Sequence, residues 1–117
     1  MEYLYMNSRD ELLRMDINSI VYFEGDGNYT NIVLANGLKG VVCINLSKIQ
    51  EHLNVKLKEH SLIFARIGKR YIVNLDYVYS INLIRQKLTL SDGFRFSYQL
   101  DIAKEALKKL KELYGKQ

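Results

Sequence analysis

The sequence predicts a mainly β domain of short antiparallel strands with one short internal helix and one C-terminal helix. Three observations carry that reading. Runs rich in β-branched and aromatic residues recur along the chain, among them SIVYFE, YTNIVLA and LIFARI, a composition that suits a pleated, half-buried surface. Tight-turn signals separate the runs: Gly25-Asp26-Gly27-Asn28, Asn36-Gly37 and Asp92-Gly93. Helical periodicity is confined to two places, so the strand–helix–strand rhythm of a doubly wound sheet is missing. With no proline in the chain, the turns must be built from Gly, Asn, Asp and Ser.

Taken in order, residues 2–6 (EYLYM) alternate and read as a short first strand, whereas residues 10–15 (DELLRM) fit neither period. Ser19–Glu24 and Tyr29–Ala35 are strands on either side of the GDGN loop. Asn36-Gly37 is a hairpin signal because both residues tolerate positive φ, and LKGVVCI is its return strand. The period then changes. Leu46, Ile49, Gln50 and Leu53 fall at helical spacing, with Asn45 or Ser47 as the cap. Strands resume at LIFARI and again at YIVNLDYVYSINLI, which breaks near residues 74–76. KLTLS turns at Asp92-Gly93 into FRFS as a second hairpin. Residues 101–113 read as the last helix, with Ile102, Ala106, Leu107, Leu110 and Leu113 or Tyr114 as its apolar stripe, four lysines facing away and Gly115 at its end.

A chain of 117 residues fits one domain. Its 48% hydrophobic and 26% charged content supports a packed core. The net charge of +4 permits a polyanionic partner without requiring one. The lone cysteine, Cys43, cannot form an internal disulfide and reads as a small buried side chain in the run VVCINL. Apolar stretches fall short of a membrane span, and acidic residues interrupt the N-terminus too early for a signal peptide. The expectation is a cytoplasmic domain with no membrane partner.

Catalytic constellations are scarce. His52 and His60 stand apart from Cys43, so no metal-ligand spacing emerges. GDGN lacks the flanking residues of a phosphate loop, and Glu24 and Asp26 read as solvated carboxylates. No nucleophile is paired with a base, which argues against a small β enzyme. Expected catalytic residues, metal, cofactor and small-molecule substrate are therefore none. Three polar segments say more: Asn28, Tyr29 and Thr30; Lys69 and Arg70 flanked by Arg66; and Arg95, Ser97, Tyr98 and Gln99. Cations neutralise phosphates and donate to guanine, while amides pair with adenine. Each segment alone reads as a solvated turn; together they suggest nucleic-acid binding if they face one way.

The order of these segments resembles the LytTR DNA-binding domain of bacterial transcription regulators over about residues 3–110. The most specific piece is Phe64, Arg66, Lys69, Tyr71, Ile72, Val73 and Asn74, supported by Ile20, Tyr22 and Glu24 before the first loop and by Asp92-Gly93 ahead of Ser97. The resemblance implies an elongated domain of small antiparallel sheets, residues 1–117 forming one such unit. It implies sequence-specific binding of double-stranded DNA by loops that enter successive major grooves, at direct repeats in promoters, as the output of a two-component response regulator. Paired repeats fit two copies, a homodimer on DNA. Carried over by position, the contacts are Asn28 and Tyr29, then Arg66, Lys69 and Arg70, then Tyr98 and Gln99, with Arg95 as a further phosphate cation. Two positions depart from the family pattern. Just after Ser97, where members often carry Arg in a Ser-Arg pair, this chain has Tyr98 and Gln99, which opens the base choice because Gln prefers adenine and Arg guanine, and Gly68 replaces a common His. Within the motif Asn74 reads as structural, bonding the adjoining turn. The competing reading is a protein-interaction module, noncatalytic, whose exposed edges and lysine-rich last helix bind a partner after DNA binding has been lost.

Overall fold

The computed structural model describes residues 2–56 and 63–115. Within them the chain forms ten strands and two α-helices. The strands are β1 (Tyr3–Asn7), β2 (Leu12–Asp16), β3 (Ile20–Asp26), β4 (Tyr29–Leu34), β5 (Lys39–Val42), β6 (Phe64–Ile67), β7 (Tyr71–Asn74), β8 (Val78–Asn82), β9 (Lys87–Ser91) and β10 (Ser97–Asp101). Helix α1 (Leu46–Lys56) follows β5, and α2 (Lys104–Leu113) ends the described chain. A central five-stranded sheet has the order β5-β4-β3-β7-β6; β1-β2 and β10-β9-β8 make two smaller sheets. All the pairings are antiparallel. The molecule is elongated, 44 × 28 × 27 Å, and mainly β, as the sequence predicted.

The central sheet is covered on both faces, which explains why its strands read as near-continuous apolar runs rather than as alternating ones. Ile20 and Phe23 of β3, Ile32 of β4 and Ile72 of β7 join one core with β1, β2 and α1. Val21 and Tyr22, with Val33 and Val73, join a second core with β8–β10 and α2. Val21 and Tyr22 are consecutive yet share a core, because the β3–β4 register shifts between Ile20 and Tyr22 and a bulge breaks the alternation there. Two polar side chains are buried in this framework, and both are bonded. Thr30 Oγ1 donates to the Ile44 carbonyl at 2.8 Å. Asn74 Nδ2 donates to the Ile20 carbonyl at 2.8 Å, while its Oδ1 accepts from the Asp76 N–H at 2.9 Å. The structural role expected of Asn74 is thus visible as a tie between β3 and the turn after β7.

Of the two cap candidates for α1, Asn45 is the one used: its side chain accepts from the Lys48 N–H at 2.9 Å. Leu46, Ile49 and Leu53 are the buried face of that helix, and Leu107 and Leu110 that of α2.

Several local expectations are corrected. The ambiguous DELLRM contains β2, which pairs with β1 in the register Leu4↔Met15 and Met6↔Leu13; its strand character depends on a partner across a short turn. Cys43 is exposed, not buried. It lies just past β5, whose exposed positions are Lys39 and Val41, and it continues that outward alternation. FRF is a turn rather than a strand, so β10 begins at Ser97. The Asp92 carboxylate gathers the N–H groups of Phe94, Arg95 and Phe96 at 3.1, 2.8 and 3.2 Å and folds them around itself. Asp101 closes β10 opposite Lys87, with which it also forms an ion pair, and α2 starts only at Lys104. Leu62, the first residue of the expected LIFARI strand, and His60 lie outside the described residues.

Candidate nucleic-acid interface

Two of the three polar segments meet at one end of the central sheet. Strands β3 and β7 are neighbours with Glu24 opposite Tyr71, and the Gly25 N–H donates to the Arg70 carbonyl at 2.8 Å. The turn that carries Asn28 and the turn that carries Gly68, Lys69 and Arg70 therefore lie side by side. Gly68 has φ +63°, a conformation that L side chains rarely adopt, and no atom stands within 4 Å of where a Cβ would be. The constraint there is conformational rather than steric. Asn28 and Tyr29 are exposed.

The three cations of this tip differ in how they are held. Arg66 donates from Nε to the Gly68 carbonyl at 3.3 Å, from Nη2 to the Lys69 carbonyl at 2.8 Å and from Nη1 to Gln50 Oε1 on α1 at 3.0 Å. Arg70 is largely exposed but paired with Glu24, Nη2 to Oε2 at 2.9 Å. Among the described residues no acceptor meets the Lys69 ammonium. A cleft of about 330 Å³ opens between the two turns and the start of α1, lined by Gly27, Asn45, Ser47, Arg66, Lys69 and Arg70. The positive end of the α1 dipole adds to the cationic character of its wall.

The third segment divides. Tyr98 is half-buried and packs in a file of rings: Tyr71 to Tyr22 at 6.0 Å, Tyr22 to Tyr98 at 5.7 Å, Tyr98 to Phe96 at 5.5 Å and Phe96 to Tyr77 at 5.2 Å. Gln99 is exposed on β10, across from Thr89. Arg95 lies in the β9–β10 turn, with its Nε 2.9 Å from Asp92 Oδ2. That turn is at the opposite end of β3 from Asn28, because Phe96 contacts Tyr77, whose hydroxyl donates to the Asn18 carbonyl at 2.7 Å. The structure brings Asn28, Lys69 and Arg70 together and sets Arg95 apart from them, by the length of β3.

Burial and then the Glu24 charge push the Tyr22 hydroxyl up to about 12. Burial and Glu24 also raise Tyr71, against the opposing charge of Arg70. Desolvation works against ionised Asp92, but the N–H groups of Phe94, Arg95 and Phe96 and the Arg95 guanidinium hold its carboxyl well below the usual carboxylate range. Two members of the site escaped sequence reasoning. Glu24 is a partly buried strand residue and the partner of Arg70, not a solvated loop carboxylate. Gln50 binds Arg66; its one signal was a polar side chain in the apolar stripe of α1.

The family model for the LytTr DNA-binding domain matches residues 10–115. Two relatives from Paraburkholderia xenovorans (strain LB400), the heme-containing CO-sensing transcriptional regulators RcoM 1 and RcoM 2, are 27% and 28% identical to this chain over 107 and 112 residues. Those alignments take in 92% and 96% of this chain but only 38% and 39% of the relatives, so the chain spans about two fifths of their length. A solved LytTr DNA-binding domain from Bacillus cereus superposes with a TM-score of 0.70 over 99% of each chain, at 15% identity. At that identity the likeness establishes the fold.

Proposed function

The chain belongs to the LytTr DNA-binding domain family, and from that premise we propose that it recognises specific double-stranded DNA with its loops, as the output domain of a bacterial transcription regulator. The observation that carries the reading is the tip: a Lys69 whose ammonium meets no acceptor among the described residues, an exposed Arg70 and an exposed Asn28 on two adjoining turns. Lys69 and Arg70 neutralise phosphates and reach base edges in one major groove, with Asn28 and Tyr29 beside them. Arg95, at the far end of β3, grips phosphate farther along the duplex, and exposed Gln99 is a candidate base contact. The net charge of +4 fits a polyanionic partner.

In this reading residues 1–117 form one cytoplasmic, noncatalytic domain without a cofactor of its own, and two copies occupy promoter direct repeats as a homodimer. A response regulator of the two-component type is the setting proposed for it. Selection of bound duplex from a random pool tests the reading. The expected result is two half-sites about one helical turn apart and affinity that falls steeply with salt. A Lys69→Ala, Arg70→Ala double variant that binds the selected duplex as tightly as wild type at physiological salt would overturn the assignment of the tip. Salt-insensitive binding to a protein, with no duplex enriched, would favour the interaction-module reading.

A further inference from the structure

We propose that Arg66 is a positioning residue: it ties the Gly68–Arg70 turn to α1 and so presents Lys69, instead of serving chiefly as a phosphate contact. The inference rests on the DNA reading above and deepens it. Three of the five guanidinium N–H donors of Arg66 already have protein acceptors. Two of these acceptors are carbonyls of the turn, Gly68 and Lys69, and the third is Gln50 Oε1 on α1.

Without that tie the turn has little to hold it. Gly68 adds no side chain, residues 68–70 are all exposed, and no acceptor holds the Lys69 ammonium among the described residues. The remaining anchors are the Ile67↔Tyr71 pairing, the bond from the Gly25 N–H to the Arg70 carbonyl and the exposed ion pair of Arg70 with Glu24, the last two at the Arg70 end of the turn. Helix α1 is a firm support, since Leu46, Ile49 and Leu53 are buried in the first core. A planar guanidinium can serve three acceptors lying in different directions. A lysine keeps the charge but lacks the rigid fork, so it cannot span the turn and the helix together.

The test uses the whole chain and the duplex recovered by selection. Binding is measured across a series of KCl concentrations for Arg66→Ala, Arg66→Lys, Gln50→Ala and Lys69→Ala. Positioning predicts that Arg66→Lys fails to rescue: both Arg66 variants weaken binding roughly ten-fold at every salt, with an unchanged slope of log K against log salt. Gln50→Ala, which removes no cation, also weakens binding and adds nothing to Arg66→Ala in a double-mutant cycle. Lys69→Ala lowers the slope by about one. Wild-type affinity in Arg66→Lys, with a slope reduced by about one in Arg66→Ala, would make Arg66 a phosphate grip and overturn the proposal.

Amide exchange at Gly25 reports the same tie without DNA. It quickens in Arg66→Lys and Gln50→Ala if the turn loosens, and an unchanged rate in both overturns the proposal. Should wild type enrich no duplex, the DNA reading falls and the exchange rates still decide the role of Arg66. Gln50→Ala keeps the test open if the Arg66 variants fail to fold.

Discussion

Arg70, in the β6–β7 turn, and Glu24, on β3, form an ion pair, Nη2 to Oε2 at 2.9 Å, with the Arg70 side chain 66% exposed and that of Glu24 only 24% exposed. The carboxylate both fixes the direction of the guanidinium and places a negative charge at the tip that is proposed to meet DNA. Exposed pairs of this kind contribute about 1 kcal/mol or less, so Glu24→Gln should leave the melting temperature nearly unchanged. Its effect should appear in recognition. Affinity for unrelated duplex should rise, and the ratio of specific to nonspecific affinity should fall. Parallel titrations of the selected and a scrambled duplex at one salt concentration check this.

Asn74 should behave in the opposite way. Its amide is buried and bonded at both ends. Asn74→Ala would leave the Ile20 carbonyl and the Asp76 N–H without those partners, at a cost of about 2–3 kcal/mol. Urea unfolding should show the loss. Affinity for duplex, corrected for the folded fraction, should hold; a fall in affinity with stability intact would make Asn74 a contact residue.

Tyr22 gives the fold an alkaline limit. Its hydroxyl is raised from 10.0 to about 12, so the folded state favours the neutral phenol. That contribution is fully present below the unfolded value near 10 and is lost as pH rises through the folded value near 12. Unfolding measured across this window should show steeper destabilisation in wild type than in Tyr22→Phe. A tyrosinate absorbance titration should also lose its latest-ionising ring in the variant.

Asp92 sets a corresponding acid limit for the β9–β10 turn. Its folded value lies below the ordinary 3.8, so its stabilising effect is present above that value and disappears as pH falls toward the folded one. Asp92→Asn should melt lower than wild type at neutral pH, and the difference should shrink in strong acid. Because Asp92 also holds Arg95, the variant should speed amide exchange at residues 94–96.

What could be read from the sequence was the part governed by local pattern. SIVYFE announced a strand, Asn36-Gly37 a hairpin, and the spacing of Leu46, Ile49 and Leu53 a helix. The misreadings share one cause, a partner distant in sequence or a reach that spacing does not encode. DELLRM becomes a strand only because β1 lies against it. Cys43 sits in an apolar run, yet continues the outward alternation of an edge strand. That Tyr98 joins rings from β3 and the β9–β10 turn is likewise not written in its local sequence. Arg66 and Arg70 differ by four positions, and nothing local says that one turns inward to Gln50 while the other meets Glu24. Family resemblance located the tip, and the side-chain geometry divides it into cations that are held and one, Lys69, that no acceptor among the described residues holds.

The file of rings from Tyr71 through Tyr22, Tyr98 and Phe96 to Tyr77 has a consequence for the operator. Edge-to-face and tilted rings packed against the second core neither stretch nor compress appreciably. The file therefore acts as a caliper, holding the Arg95 turn at a set distance from the Lys69 tip. A duplex gripped by both ends must match that span, and each base pair inserted between the two contacts would rotate one of them away by roughly a tenth of a turn. Spacing within a half-site would then be dictated from inside the domain, by the packing of these rings.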